Sequence, residues 1–328
     1  MTSSPSRPRS DAVAPLDRPD PVAAVLQAHR DGALLRLGTS GSTGTSREVR
    51  RTTASWFDSF PTVARLTALE GGARVWVPGP LAGTMNLFAC VLARWAGATL
   101  VDDLADATHA HVTPTVLRRL GPALLAGRHL TVAGDRLDRG TYDAAVAAGA
   151  QVSHYYGAAE LSFVAWGSHE DDLRLFPGVE VSVRDGVLWV RSPYLADVPT
   201  TDGFATVGDR GELVGPRLRV HGRGDAAVVT SGATVLVEDV ESALRPVARG
   251  EVVVLGVPHA DLGQVVAAVL TDPADLGKCR TVAMPSSHRP RLWYAVPSLP
   301  RTAAGKLDRA ALAHQVRDGS VARLSVVA

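Results

Sequence analysis

Apolar residues in the first half of the chain come in short runs that alternate with longer stretches of helical spacing. Residues 34–37, 74–78, 98–101, 129–133 and 151–155 read as strands. Residues 22–29, 52–67, 86–95, 114–120 and 139–148 read as helices, with Pro114 admissible in a first helical turn. Strand followed by helix at this interval predicts α/β layers around an at least partly parallel sheet. Near Phe176 the rhythm changes to short runs separated by turn residues, over 179–183, 187–190, 211–214 and 217–220. That predicts antiparallel hairpins, with Asp185-Gly186 as one hairpin turn. From about Asp225 a third pattern sets in, with a helix over 237–244, strands over 251–257 and 264–270, and a helix over 308–316. No internal repeat is visible.

The 328 residues suffice for two domains with ample cores. The expected fold class is α/β. A large α/β domain over residues 22–224 precedes a small α+β domain over 225–328, with the boundary at Arg223-Gly224-Asp225. Residues 1–21 are rich in Ser, Pro, Arg and Asp, lack the apolar centre of a signal peptide, and read as a disordered leader.

Composition narrows the choice of function. Hydrophobic residues make up 46% of the chain and charged ones 20%, an ordinary globular balance. A formal net charge of +1 implies no polyelectrolyte partner. Basic stripes with interleaved aromatics are absent, so no nucleic-acid partner is expected. No apolar run is long enough to span a bilayer, so no membrane partner is expected either. Cys90 and Cys279 form no C-x-x-C pair and read as reduced thiols of a cytoplasmic protein.

Candidate chemistry begins at Thr39-Ser40-Gly41-Ser42-Thr43-Gly44-Thr45-Ser46-Arg47. Short loops of this composition let backbone N–H groups and hydroxyls close around phosphate oxygens, and Arg47 adds a fixed positive charge. The stretch is not a Walker A loop, because no Gly-Lys-Ser/Thr follows at the required spacing. By itself it fits a plain surface turn equally well. Five further stretches stand out: Tyr155-Tyr156-Gly157-Ala158-Ala159-Glu160, Thr206-Val207-Gly208-Asp209, His221-Gly222-Arg223-Gly224-Asp225, Thr230-Ser231-Gly232-Ala233, and Pro300-Arg301-Thr302-Ala303-Ala304-Gly305-Lys306-Leu307-Asp308-Arg309. Lys278 and Lys306 are the only lysines in the chain. His109 and His111 make an H-x-H pair without an obvious cysteine or carboxylate partner, which reads as a strand surface rather than a zinc site. No G-x-S-x-G elbow anchors a hydrolase triad.

Taken in order, these stretches resemble the adenylate-forming superfamily: acyl-CoA synthetases, peptide-synthetase adenylation domains and luciferases. The motifs run from Thr39 to Arg309, most of the chain. The shape resembles the short o-succinylbenzoate–CoA ligase-like branch, with a truncated first subdomain and little sequence ahead of the phosphate loop. The resemblance implies an AMP-forming ligase that activates a carboxylic acid with ATP and Mg²⁺, then passes the acyl group from the acyl-adenylate to coenzyme A. It implies that Thr39, Ser40, Gly41, Ser42, Thr43, Gly44 and Arg47 hold phosphates, and that Glu160 holds Mg²⁺. Tyr156, Gly157 and Ala159 would meet the adenylate, with Gly134-Asp135 opposite the Tyr156 ring. Asp209 would accept hydrogen bonds from the ribose hydroxyls, and Arg223 would donate to the sugar or a phosphate. Lys306 would bridge carboxylate and α-phosphate oxygens in the transition state. The small domain would rotate about Asp225 between half-reactions, and Ser231 and Gly232 would line a thiol tunnel.

The chain departs from the family pattern at several places. Ser46-Arg47-Glu48 stands where Pro-Lys-Gly is usual, so a planar fork replaces a point charge. Ala159 replaces the usual threonine, and no histidine stands within Leu81-Ala82-Gly83-Thr84-Met85. Two alternatives stay open: an adenylating enzyme that loads a carrier protein or forms an amide or ester, and a non-catalytic nucleotide or acyl binder. Retention of Glu160, Asp209, Arg223 and Lys306 together argues against the binder.

Overall fold

Asp20 opens the first helix by accepting a hydrogen bond from the Ala23 N–H at 2.9 Å, and Pro21 fills the first helical position. In the computed structural model, which describes residues 12–40, 46–223, 227–230, 233–302 and 307–325, this helix is α1 (Pro21–Arg30). It leads into an antiparallel hairpin of β1 (Leu34–Ser40) and β2 (Ser46–Thr52). The register opposes Thr39 to Arg47 and Ser40 to Ser46, so two paired strands flank the Gly/Ser/Thr-rich stretch. Residues 12–20, expected to be disordered, are ordered instead. Val13 donates to the Leu34 carbonyl and accepts from the Arg36 N–H, both at 2.8 Å. The edge of β1 supplies backbone partners that a Pro/Ser-rich segment cannot supply to itself.

The helix expected over 52–67 is divided into α2 (Ala54–Phe57) and α3 (Phe60–Leu66). Pro61 lacks the N–H that would carry α2 onward, and the Ser59 hydroxyl donates to the Trp56 carbonyl at 2.6 Å. Next come β3 (Arg74–Trp76), α4 (Thr84–Trp95), β4 (Thr99–Val101), β5 (His109–Val112), α5 (Pro114–Arg119), β6 (His129–Val132), α6 (Arg139–Ala147) and β7 (Gln151–Ala158). These strands pair in parallel in the order β4-β3-β5-β6-β7. The sheet continues with β8 (Ser162–Gly167), β9 (Arg174–Leu175), β10 (Glu180–Arg184), β11 (Val187–Arg191), β12 (Asp209–Val214) and β13 (Arg217–Arg223). From β7 outward the order is β8-β9-β13-β12-β11-β10, every pair antiparallel, which completes eleven strands. The expected change to hairpins therefore falls at β8, ahead of Phe176. Asp185 and Gly186 take φ of 52° and 75°, as a two-residue turn between β10 and β11 requires.

Strand alternation sorts the two faces of the parallel part. Ala110, Val112, Leu130 and Val132 join Leu117, Leu137 and Ala145 in a core under α5 and α6. The opposite face meets a larger core in which Trp56, Phe60, Phe88, Phe163 and Phe176 pack edge-on and stacked.

A second sheet contains β14 (Ala227–Thr230), β15 (Ala233–Leu236), β16 (Val252–His259), β17 (Gly263–Leu270), β18 (Leu292–Ala295) and β19 (Ala322–Arg323), with α7 (Val237–Leu244), α8 (Leu276–Arg280) and α9 (Arg309–Arg317). Its order is β15-β14-β17-β18-β19, with β16 also paired to β17. Glu241 of α7 is fully buried and fastens this unit. It accepts from the Val254 N–H at 2.8 Å, Arg245 at 2.9 Å and Arg309 at 3.0 Å. A buried carboxylate is tolerable because two guanidiniums and a backbone donor satisfy it. Among the described residues, no helix is long and apolar enough to cross a membrane.

Candidate active site

The carboxyl ends of β6 and β7 form one rim of the large sheet, the place where α/β sheets receive ligands. Gly134 and Asp135 follow β6, and both are exposed on this rim. Gly134 has φ of 88°, and a Cβ there would press on the Met85 sulfur at 3.4 Å. On β7, Gly157 has no room for a side chain, because a Cβ would collide with the Ser162 carbonyl. The register shifts between Tyr156 and Gly157 and re-aims the end of the strand. A tight turn follows, closed by Leu161 N–H to Ala158 O at 3.2 Å, with Ser162 at φ of 61°. Glu160 sits on this turn, half-buried, and its backbone carbonyl accepts from the Ala196 N–H at 2.8 Å. Among the described residues its carboxylate makes no ion pair or side-chain hydrogen bond in the structure.

Tyr156 reaches the next motif. Its hydroxyl donates to Asp209 Oδ2 at 2.7 Å. Asp209 is buried at the start of β12, and its turn is fixed by Thr206, whose hydroxyl donates to the Leu188 carbonyl at 2.7 Å and accepts from the Gly208 N–H at 3.0 Å. Across the ladder Asp209 faces Arg223 on β13. Residues far apart in sequence thus meet at one rim: Tyr156, Asp209 and the backbone of Arg223. Thr39, Ser40 and Arg47 lie on the β1–β2 hairpin. Gly41, Ser42, Thr43, Gly44, Asp225, Ser231, Gly232 and Lys306 lie outside the described residues.

The last motif is anchored on both sides of Lys306. Asp308 N–H donates to the Pro300 carbonyl at 2.9 Å, and Arg301 forms a bridge with Leu307. Arg309 donates to the Val254 carbonyl at 3.0 Å besides pairing with Glu241. Arg301 also reaches Glu251 at 2.8 Å, and Glu251 is shared with Arg119 of α5 at 2.7 Å. One carboxylate therefore joins the base of the lysine motif to the large sheet's side of the molecule.

A second contact between the two sheets lies directly behind Gly134-Asp135. Arg136 donates to Glu170 at 2.6 Å and faces Glu238 of α7 at 3.7 Å. The facing atoms, Arg136 Nη1 and Glu238 Oε2, are buried without hydrogen-bond partners among the described residues. Burial pushes the Glu238 carboxyl up to about 7, against the pull of Arg136. Gly222 takes φ of 85°, and a Cβ there would strike the Glu238 carboxylate.

Two features went unread in the sequence. The first is Arg51 on β2, which has no exposed surface. Its guanidinium donates to Ser55 Oγ at 2.9 Å, the Ala159 carbonyl at 3.0 Å and the Tyr194 carbonyl at 2.8 Å, and lies over the Trp56 ring at 5.2 Å. The second is a small cavity beneath α4, walled by Phe88, His109, His111, Thr131, Tyr155 and Phe163. The expected strand surface for His109 and His111 is corrected here: alternation along β5 turns both inward. His111 is buried, which lowers its pKa to about 4, and its Nε2 shares a hydrogen bond with the Tyr155 hydroxyl at 3.2 Å. His109 is held by Thr108 at 2.9 Å and the Thr67 carbonyl at 3.1 Å, and stacks on His129. Among the described residues no group of three metal-binding side chains occurs.

No protein-family model matches the chain. It is 26% identical over 318 residues to an uncharacterized acyl-CoA ligase of Bacillus subtilis, YhfT, covering 83% of this chain and 66% of that one. It is 36% identical over 200 residues to a probable 2-succinylbenzoate–CoA ligase of Mycobacterium tuberculosis, covering 55% of this chain and 52% of the relative. The chain thus spans between about half and about two thirds of the length of these two relatives. Among solved structures it superimposes on the o-succinylbenzoate CoA synthetase MenE of Bacillus subtilis in complex with its acyl-adenylate intermediate. There the TM-score is 0.73 at 21% identity, over 85% of this chain and 68% of the other. The chain has the fold of this solved CoA synthetase and is similar in sequence to acyl-CoA ligases.

Proposed function

We propose that this chain is an AMP-forming acid–thiol ligase. A carboxylate oxygen of the acid attacks the α-phosphorus of ATP. The bond to the bridging oxygen breaks and pyrophosphate leaves, giving an acyl-adenylate. The thiol sulfur of coenzyme A then attacks the acyl carbon, its proton is lost, and AMP departs with the C–O electron pair. The observation that carries this reading is the Tyr156–Asp209 hydrogen bond, which joins two distant motifs at one rim beside Glu160. In this reading residues 22–224 bind ATP and acid, and residues 225–328 form a lid carrying Lys306.

The chain's own groups have distinct tasks. Tyr156 presents a ring to the base while its hydroxyl fixes Asp209, which receives the ribose. Thr39 through Gly44 and Arg47 receive phosphate oxygens at the hairpin. Lys306 offsets charge on the carboxylate and α-phosphate as they meet, a contribution that is largest in the transition state. Glu160 fits Mg²⁺: it is a partly buried hard oxygen donor, and Mg²⁺ usually takes only one or two protein carboxylates beside substrate phosphates. Bound there, Mg²⁺ would supply charge neutralisation on the phosphates. The acid is small to medium, and Ser231 and Gly232 admit the thiol. Buried free Cys90 and Cys279 support a reducing compartment, the cytoplasm.

The test is pyrophosphate exchange across a panel of carboxylic acids, with AMP release measured with and without coenzyme A. Exchange with at least one acid, and coenzyme A-dependent AMP release, is expected. Adenylate that coenzyme A never discharges would transfer the assignment to a carrier-loading or amide- or ester-forming enzyme. Absence of exchange with every acid would leave a nucleotide or acyl binder.

A further inference from the structure

Arg51 is the largest fully buried charged side chain in the described molecule. A scaffold does not need a cation there. Burying a guanidinium without a hydrogen-bonded carboxylate is unfavourable, and its contacts in the structure go to neutral oxygens. Burial lowers the pKa to about 9, with Glu160 opposing that fall, so the group remains charged at neutral pH. The three acceptors belong to three different segments: α2, the turn that carries Glu160, and the strand-free stretch after β11. That last stretch bonds both β2 and the Glu160 turn. Tyr194 O accepts from Arg51, Ala196 N–H donates to Glu160 O at 2.8 Å, and Asp197 N–H donates to Arg50 O at 2.7 Å. Arg51 also stands on β2, the strand that leaves the Gly/Ser/Thr-rich stretch.

We propose that Arg51 is a positioning residue for the ligase reaction, its buried guanidinium locking the Ala159–Glu160 turn to the hairpin that carries the phosphate-binding stretch. This rests on the ligase reading above. It adds a single internal cation that ties the turn of the metal carboxylate to β2. A planar fork with three separate donors in use cannot be copied by an ammonium. Arg51→Lys therefore keeps the charge but loses the lock.

Mn²⁺ binding to the purified chain with ATP, followed by electron paramagnetic resonance, is compared for wild type, Arg51→Lys, Ser55→Ala and Glu160→Gln, alongside the Mg²⁺ dependence of adenylate formation and thermal unfolding. Loss of an outer support for a metal ligand weakens metal binding by about 10–100-fold. The expected result for Arg51→Lys is weaker Mn²⁺ binding in that range and a raised Mg²⁺ midpoint, measured below its unfolding temperature. Ser55→Ala removes one acceptor, keeps the cation, and should shift both in the same direction by less. It also serves if Arg51→Lys does not fold. If Glu160→Gln weakens Mn²⁺ while Arg51→Lys or Ser55→Ala changes only the unfolding temperature, Arg51 is a structural residue and the proposal is overturned. If Glu160→Gln leaves Mn²⁺ binding unchanged, the metal role of Glu160 fails, and the proposal built on it fails too.

Discussion

A lysine that serves only the first of two half-reactions leaves an uneven imprint on its alanine variant. Lys306 is one of two lysines in the chain, and its flanks are closed by the Asp308–Pro300 bond and the Arg301–Leu307 bridge. Lys306→Ala is expected to lower acyl-adenylate formation by about a hundredfold or more, the scale of losing one electrostatic group from a transition state. Thiol transfer from supplied acyl-adenylate should change far less. Equal losses in both half-reactions, measured by single-turnover assays, would remove Lys306 from its assigned role. At this scale the motifs were readable because glycines and a carboxylate, tyrosine or lysine recur at fixed offsets. Arg51 was not, because Arg50-Arg51-Thr52-Thr53 has the composition of a solvated run. A signal existed: Val49, Arg51 and Thr53 are all buried, and a period-of-two reading through Arg51 would have put it on the face of Val49.

Elements were legible where one pattern ruled and illegible where partners decided. Pro114 marked the first turn of α5, which Thr113 caps, and apolar spacing marked α1 and α9, whose starts Asp20 and Asp308 cap in the structure. The hairpin of β1 and β2 was hidden because the glycines and hydroxyls that separate the strands suggest a loop into a helix, and Ser46–Thr52 is too polar to read as strand. Its pairing comes from β1, not from its own composition. β18 was missed for the same reason: four residues become a strand only by lying parallel to β17. Residues 12–20 are tied down by backbone groups of β1, which no side-chain pattern announces. The division at Pro61 was present in the sequence and was overridden by the apolar spacing of 52–67.

Across the whole molecule, the two sheets meet at Arg136 and Glu238, residues distant in sequence whose meeting no local pattern discloses. The Glu238 carboxyl is raised to about 7 by burial. The folded state then holds this proton more firmly than the unfolded chain does. Its contribution is fully present below the unfolded carboxyl pKa and is lost as pH rises through about 7. Glu238→Gln should remove that loss. Relative to wild type, the variant should gain up to about 3 kcal/mol in unfolding free energy between pH 4.5 and pH 8, read from urea titrations. A wild-type and variant pair whose stabilities run parallel over this range would mean that Glu238 does not hold its proton in the folded state.

Tyr155 lines the cavity beneath α4 next to Tyr156 of the rim, and Trp166 stacks on it at 5.4 Å with the rings 11° apart. Trp56 lies under Arg51, whose guanidinium bonds the Ala159 carbonyl. Two of the chain's six tryptophans therefore touch residues bonded or adjacent to the proposed site. Indole emission responds to the polarity and packing around the ring, so the protein carries a built-in optical reporter. Addition of ATP and a productive acid should alter the emission spectrum without any attached dye, and Trp166→Phe should abolish most of that change while leaving pyrophosphate exchange in place. Screening for the acid then becomes a fluorescence titration of the unlabelled chain, in which each compound is recognised by the light it adds or removes.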